Sequence, residues 1–305
     1  MGRLRAIVLG SAAGGGFPQW NCRCPVCQLA WSGDGRVKRR TQASLAISPD
    51  GEEWLLINAS PDLPEQIRGS PVLHPRGGGQ DSARGSPIKS ILLTGAEIDQ
   101  VTGLLSLRER EPFMLFASAE THAVIRTNSV FDVLARDVVE RRTIEPDQPC
   151  ALPGGLSAEL FAVPGKVPLY LEGDNPETLS EAAGTVGAEI SASGARLVYI
   201  PGAAAITPRM RTRLERADVV FFDGTLFRDD EMIANGTGSK TSRRMGHMSI
   251  GGPGGTLETL RDLKARRIFI HINNTNPVLV QGSPERERVT AAGWEIAEDG
   301  MEVVL

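Results

Sequence analysis

The sequence predicts an α/β fold, a sandwich of two mixed sheets with helices on the outer faces. Three observations predict it. Apolar runs at 88–93 and 219–222, rich in Ile, Leu, Val and Phe, have the length of buried strands. Each half of the chain runs strands first and helices later, which suits two packed sheets covered from outside. That pattern fits a doubly wound sheet equally well, and the loop at 94–104 decides between the two.

In chain order, residues 4–9 form an apolar run that breaks into Gly10-Ser11-Ala12-Ala13-Gly14-Gly15-Gly16. A strand ending in glycines brings backbone close to a ligand or to another segment. Residues 44–47 and 54–57 flank Ser48-Pro49-Asp50-Gly51 and read as a hairpin. A helix starts near 63–68. Residues 69–86, rich in Gly, Pro, Ser and Arg, read as an exposed loop. After the strand at 88–93, residues 94–100 form a loop and 101–108 begin a helix. Strands are expected at 112–116, 156–163, 197–200, 219–223 and 267–271, and helices at 119–134, 208–216 and 253–263. Residues 294–297 and 301–305 read as a hairpin around Glu298-Asp299-Gly300.

The 305 residues suit a single domain, 1–305, whose core needs no disulfides. The net charge of −4, with both signs well mixed, gives no basic stripe for nucleic acid. No apolar run reaches membrane-spanning length, and residues 1–9 read as a strand and not as a signal peptide. A cytoplasmic protein without membrane insertion is expected. Its oligomeric state is left open.

Three of the four cysteines, Cys22, Cys24 and Cys27, fall within six residues. Thiols this close do not make a secreted disulfide framework. In a reducing compartment they point to a metal, and tetrahedral Zn²⁺ needs a fourth ligand from elsewhere. Such a closed site is structural and ties the N-terminal loop to the core. The cluster is expected on a peripheral loop, independent of any site near Asp99.

The run Thr94-Gly95-Ala96-Glu97-Ile98-Asp99-Gln100-Val101-Thr102-Gly103-Leu104 resembles the metallo-β-lactamase superfamily loop Thr-His-x-His-x-Asp-His-x-x-Gly-Leu, which also follows a buried strand. The histidine positions carry Gly95, Glu97 and Gln100, and Asp99 alone keeps the superfamily's ligand. Asp223, ending the strand at 219–223, and His271, ending that at 267–271, resemble two later ligands. The mid-chain histidine has no counterpart in Phe161-Ala162-Val163-Pro164-Gly165-Lys166.

A closer resemblance is to the coenzyme PQQ (pyrroloquinoline quinone) synthesis protein B family. It rests on 10–27, 94–109, 221–232, 246–250 and 271–277, including Phe-Pro-Gln-Trp-Asn-Cys-Arg-Cys-Pro-Val-Cys and His-Ile-Asn-Asn-Thr-Asn-Pro. Gln100 departs from the histidine frequent in the family. The resemblance to superfamily phosphodiesterases implies His271 or Asn274 as the fourth ligand of the cysteine zinc. It also leaves a second site with Glu97, Asp99, Asp223, and His247 or His271. Carboxylates with one or two imidazoles suit Fe²⁺ or Mn²⁺ better than a zinc pair. Two histidines and a carboxylate, from His247, His271 and Asp99 or Asp223, would support O₂ chemistry. His271 serves one of the two metals, not both.

His247 reads either as a general acid or base, since histidine titrates near neutrality, or as a surface residue of a Gly- and Arg-rich loop. Lys240, Arg243 and Arg244, with Lys166, read as partners for substrate carboxylates or as a solvated charged face. The resemblance implies iron-dependent hydroxylation of the tyrosine-derived ring of a small anionic intermediate built from glutamate and tyrosine. The alternatives are a carrier of PQQ or its precursor toward the periplasm, and a phosphodiesterase-like hydrolase. The missing histidines argue against the last, because two-metal hydrolysis needs both sites filled.

Overall fold

The computed structural model describes residues 3–76, 83–165, 169–171 and 185–305. Among the described residues there are fourteen strands, many joined by short helices: β1 (Arg5–Gly10), β2 (Ser44–Ser48), β3 (Trp54–Ile57), β4 (Ile88–Leu92), β5 (Phe113–Ala117), β6 (Val139–Thr143), β7 (Cys150–Ala151), β8 (Ser157–Ala162), β9 (Val186–Ala192), β10 (Ala195–Ile200), β11 (Val219–Asp223), β12 (Arg266–Ile270), β13 (Trp294–Ile296) and β14 (Glu302–Val304). They form two seven-stranded sheets, ordered β14-β1-β2-β3-β4-β5-β6 and β13-β12-β11-β10-β9-β8-β7. Each sheet is antiparallel over one half and parallel over the other. This is the α/β sandwich expected.

Period-two alternation explains the layers. Ala6 and Val8 of β1 face the other sheet, where they join Leu45, Leu92, Ile190, Tyr199 and Phe221. Ile7 and Leu9, one residue out of phase, meet Leu63 and Ile125 from the helices Leu63–Gly69 and Ala119–Thr127. On β11, Val219 and Phe221 point between the sheets. Val220 and Phe222 point outward to Met210 and Leu214 of the helix Pro208–Arg216 and to Val289 of the helix Pro284–Ala291. Each phenylalanine buried this way contributes about 1.5–3 kcal/mol. Among the described residues no helix is long and apolar enough to cross a membrane.

Several expectations need correction. Residues 294–304 are not a hairpin. β13 pairs in parallel with β12, while β14 pairs antiparallel with β1 in the other sheet. Glu298-Asp299-Gly300 carries the chain between sheets, because Asp299 is held by Ser11 and Thr41 and the Gly300 N–H donates to Val8 O. The helix expected at 253–263 shrinks to Thr256–Thr259, since Gly251, Gly252, Gly254 and Gly255 leave its start without helical support. The helix at 119–134 ends at Thr127, and 101–108 is mostly a 3₁₀ segment, Thr102–Leu107, after one helical turn at Ile98–Val101. Within the expected loop 69–86, Pro71–Leu73 is a 3₁₀ turn, and 77–82 lie outside the described residues.

The carboxyl ends of β3, β4, β10, β11 and β12 open toward one rim, where parallel sheets place their ligands. The loop at 94–104 is clamped there. Asn58, in a left-handed conformation (φ 62°) beyond β3, accepts the Thr94 N–H at 2.9 Å and donates to Thr94 Oγ1 at 2.9 Å. Ala59 N–H donates to Gln100 O at 2.7 Å and Gly103 N–H to Ala59 O at 2.9 Å. A Cβ on Gly103 would lie 2.1 Å from Ser60 O and 2.8 Å from the Ala59 backbone. Gly103→Ala is therefore expected to cost about 1–3 kcal/mol from overpacking against backbone that cannot give. A urea midpoint equal to wild type would show that the clamp is looser than this.

Candidate metal sites

The cysteines gather at the start of the helix Pro25–Trp31. Cys24 is its N-cap, its sulfur accepting the Cys27 N–H at 3.4 Å, and Cys22 Sγ accepts the Cys24 N–H at 3.4 Å. Asn274 closes the group. Its side-chain amide donates to Cys22 Sγ at 3.1 Å and Cys27 Sγ at 3.3 Å, and its carbonyl oxygen lies 3.7 and 3.8 Å from Cys24 and Cys27 Sγ. A hydrogen bond from Cys24 pulls the Cys27 thiol down to about 5 against its burial, with help from Asn274, while the same bond and burial push Cys24 up. Three sulfurs this close, with the Asn274 backbone carbonyl oxygen beside them, fit zinc. Of the two residues expected as fourth partner, the structure brings Asn274 to the sulfurs and carries His271 away.

His271 follows β12 in a left-handed conformation (φ 59°) that turns its ring from the cysteines to Asp99, with Nε2 3.1 Å from Asp99 Oδ2. Asp223, fully buried at the end of β11, accepts from His247 Nδ1 at 2.8 Å and from the Ala203 N–H at 3.0 Å. The two imidazoles stack, with centroids 5.5 Å apart and planes 21° from parallel. Asp223, His247 and His271 each bring one donor atom within 4.8 Å of the others. Thr225, which the sequence reading passed over, stands among them. Its hydroxyl is 2.7 Å from Asp223 Oδ1, 3.0 Å from His271 Nδ1 and 3.1 Å from His247 Nδ1.

Burial pushes the Asp99 carboxyl up, but the hydrogen bond and charge of His271 outweigh it and hold it below the usual carboxylate range. For Asp223, burial is outweighed in the same way by the charge and hydrogen bond of His247. Burial pushes His271 down, yet Asp99 and Asp223 raise it overall. Both acids are therefore kept ionised beside imidazoles, a donor set that fits a single divalent metal.

Asp99, Thr225, His247 and His271 line a cleft of about 440 Å³ with Gly14, Gly95, Glu97, Gln100, Gly202 and Lys240, and Asp223 lies buried behind it. Glu97 stands on the wall, outside the converging donors. Gln100 is turned back on its own loop, its side-chain oxygen accepting the Glu97 N–H at 3.2 Å. Of the expected carboxylate partners, Lys240 alone among the described residues faces this cleft. Arg243 lines a neighbouring cleft of about 770 Å³ with Arg228 and Arg288, and Arg244 lines neither. The physical reason is the 3₁₀ turn Arg243–Met245 closed by a left-handed Gly246, which aims Met245, Gly246 and His247 inward instead. Lys166 lies outside the described residues.

The expected independence of the two sites also needs revision. His271 and Asn274 share one loop, and Ala13, in the glycine-rich run leading to the cysteines, donates to Ile272 O at 2.9 Å. A Cβ on Gly14 would touch Asp99 at 3.7 Å. The cysteine knot thus anchors both loops that border the cleft.

Residues 53–272 match the model of the beta-lactamase superfamily domain. The coenzyme PQQ synthesis protein B of Methylobacterium sp. (strain 4-46) is 54% identical over 303 residues, covering 99% of this chain and 100% of that protein. The protein of the same name from Methylobacterium nodulans is 52% identical over the same coverage. The crystal structure of Zn(2+)-bound PqqB from Methylobacterium extorquens superposes with a TM-score of 0.95 at 51% identity, over 99% of this chain and 100% of that one. With its β-lactamase-type sandwich and a full-length likeness of this strength, the chain belongs to the coenzyme PQQ synthesis protein B family.

Proposed function

We propose that the chain works in PQQ synthesis as an iron-dependent hydroxylase acting on the tyrosine-derived ring of a small anionic intermediate built from glutamate and tyrosine. One observation carries the reading. The cleft gathers donors for a single metal, while the positions that would complete a hydrolytic metal pair hold Gly95 and a Gln100 committed to its own loop. Asp99 and His271 would hold the ion, with Asp223 and His247 beside them, and when bound Fe²⁺ supplies the activation of O₂ that a closed-shell metal does not. Asp99 and Asp223 remain anionic and balance the ion's charge. His247, oriented through Nδ1 by Asp223, is placed on the cleft wall to take or return a proton at the substrate. Lys240 attracts a substrate carboxylate. Gly14, Gly95 and Gly202 keep the wall free of side chains, leaving room for a flat ring.

The test is oxygen uptake by the Fe²⁺-loaded protein given the glutamate–tyrosine-derived intermediate, prepared without air. Uptake dependent on both iron and intermediate is expected. Silence in that assay together with tight binding of finished PQQ would favour a carrier.

A further inference from the structure

Asp223, His247 and His271 look like a ligand set, yet Thr225 Oγ1 stands among their donor atoms. We propose that Thr225 is a positioning residue that keeps both Nδ1 atoms protonated and directs the metal to the Nε2 side of His271, against Asp99. This deepens the metal reading above and rests on it.

The argument is a proton inventory. A threonine hydroxyl has one hydrogen to donate and two lone pairs. Four atoms lie within reach: Asp223 Oδ1 at 2.7 Å, His271 Nδ1 at 3.0 Å, His247 Nδ1 at 3.1 Å and His271 O at 3.1 Å. The carboxylate and the carbonyl can only accept. The single hydrogen goes to Asp223 Oδ1, which is nearest and charged. The two lone pairs then face two ring nitrogens, so each Nδ1 must be the donor. His247 Nδ1–H is shared with Asp223 Oδ2 at 2.8 Å. Asp223 Oδ1 also accepts the Thr225 N–H and Oδ2 the Ala203 N–H, at 3.0 Å each. The His247 hydrogen is thereby bifurcated between Thr225 and Asp223, that of His271 goes to Thr225, and no Nδ1 lone pair is left to bind an ion.

The lone pairs that remain are on Nε2. That of His271 faces Asp99 Oδ2 at 3.1 Å. A nitrogen lone pair and a carboxylate repel at that distance unless a cation or proton lies between them. Thr225 therefore does for His271 what a carboxylate or carbonyl does behind many metal-bound histidines: it fixes the tautomer from the far side of the ring.

Two substitutions separate this from a packing role. Thr225→Val keeps the shape and removes the hydroxyl, and Thr225→Ser keeps the hydroxyl. Anaerobic equilibrium dialysis with Fe²⁺ alone should show binding weakened about tenfold to a hundredfold in the valine variant and restored in the serine variant. Zinc at the cysteines should be unchanged in both. Long-range ¹H–¹⁵N spectra of protein loaded with Zn²⁺ alone should show His271 protonated at Nδ1 and metal-bound at Nε2. Wild-type affinity in Thr225→Val, or metal on Nδ1, would overturn the proposal. If wild type takes up no second metal, the functional reading fails by itself. Spectra of the metal-free protein then still decide the role of Thr225: Nδ1 protons lost to solvent exchange in Thr225→Val but kept in Thr225→Ser support it, and the same protons unchanged in Thr225→Val overturn it.

Discussion

Replacing Asp99 by alanine should abolish oxygen uptake and second-site metal binding, with the fold and the cysteine zinc intact. Asp99 is the carboxylate opposite His271 Nε2, so its loss removes one donor and leaves that nitrogen facing a void. The fold should tolerate the change. Asp99 lies in the first turn of the four-residue helix Ile98–Val101, where an acid contributes roughly 0.3–1 kcal/mol through the helix dipole. The loop remains clamped by Asn58, Ala59 and Gly103. The measurements are oxygen electrode traces, metal content by elemental analysis, and a thermal melt. Lys240→Ala is the contrasting variant: it should weaken substrate binding and spare metal content. Uptake persisting in Asp99→Ala at near wild-type rate would show that the chemistry lies elsewhere.

Cys24→Ser should have the largest structural effect. Serine can still cap the helix Pro25–Trp31 and keeps the backbone N–H that bonds Cys22 Sγ, so the effect of the variant is the loss of one thiolate ligand. Loss of a metal that couples loop to core is among the few changes that cost several kcal/mol. At about 2–4 °C per kcal/mol for a chain of this size, the melting temperature should fall by on the order of 10 °C. Zinc should drop below one equivalent in parallel. Because Asn274 and His271 share a loop, second-site metal affinity should fall too. The coupling is reciprocal, but zinc held tightly by three sulfurs should stay at full content in Asp99→Ala, and titrating metal into both variants measures this. Full zinc content in Cys24→Ser would remove the assignment.

Much of this was legible in the sequence, for physical reasons. The strand at 219–223 is four apolar residues ended by an acid, and both the element and its carboxylate lie where that pattern puts them. Cys22, Cys24 and Cys27 lie close enough in sequence that one turn into the helix Pro25–Trp31 brings their sulfurs together. His271 was ambiguous because two metals competed for it on paper. A left-handed turn at a single residue decides which way its ring faces, and sequence carries no signal for that in a histidine. The partition of Arg243 from Lys240 depends on one short turn in the same manner. Thr225 carries no signal in sequence, because one hydroxyl beside Asp223 says nothing until two distant imidazoles arrive around it. β6 and β9 were missed because Val-Glu-Arg-Arg-Thr is an edge strand with mostly exposed side chains and Val-Gly-Ala-Glu-Ile-Ser-Ala has no clean alternation. The split of β13 from β14 depends on pairings nearly the length of the chain apart.

That split has a consequence in time. β1 pairs on one side with β2, some forty residues on, and on the other with β14, where Arg5 meets Glu302 across 297 positions. At about 5–20 residues per second, synthesis of the intervening chain takes roughly 15–60 s. For that interval one edge of the first strand presents open N–H and C=O groups to any other nascent chain. Its flanking charges, Arg3 and Arg5, suit a period of waiting, since cations on an open edge discourage pairing with strangers. The guanidinium that ends as half of an ion pair in the finished molecule would stand, over that interval, as an unpaired charge beside the open edge of β1.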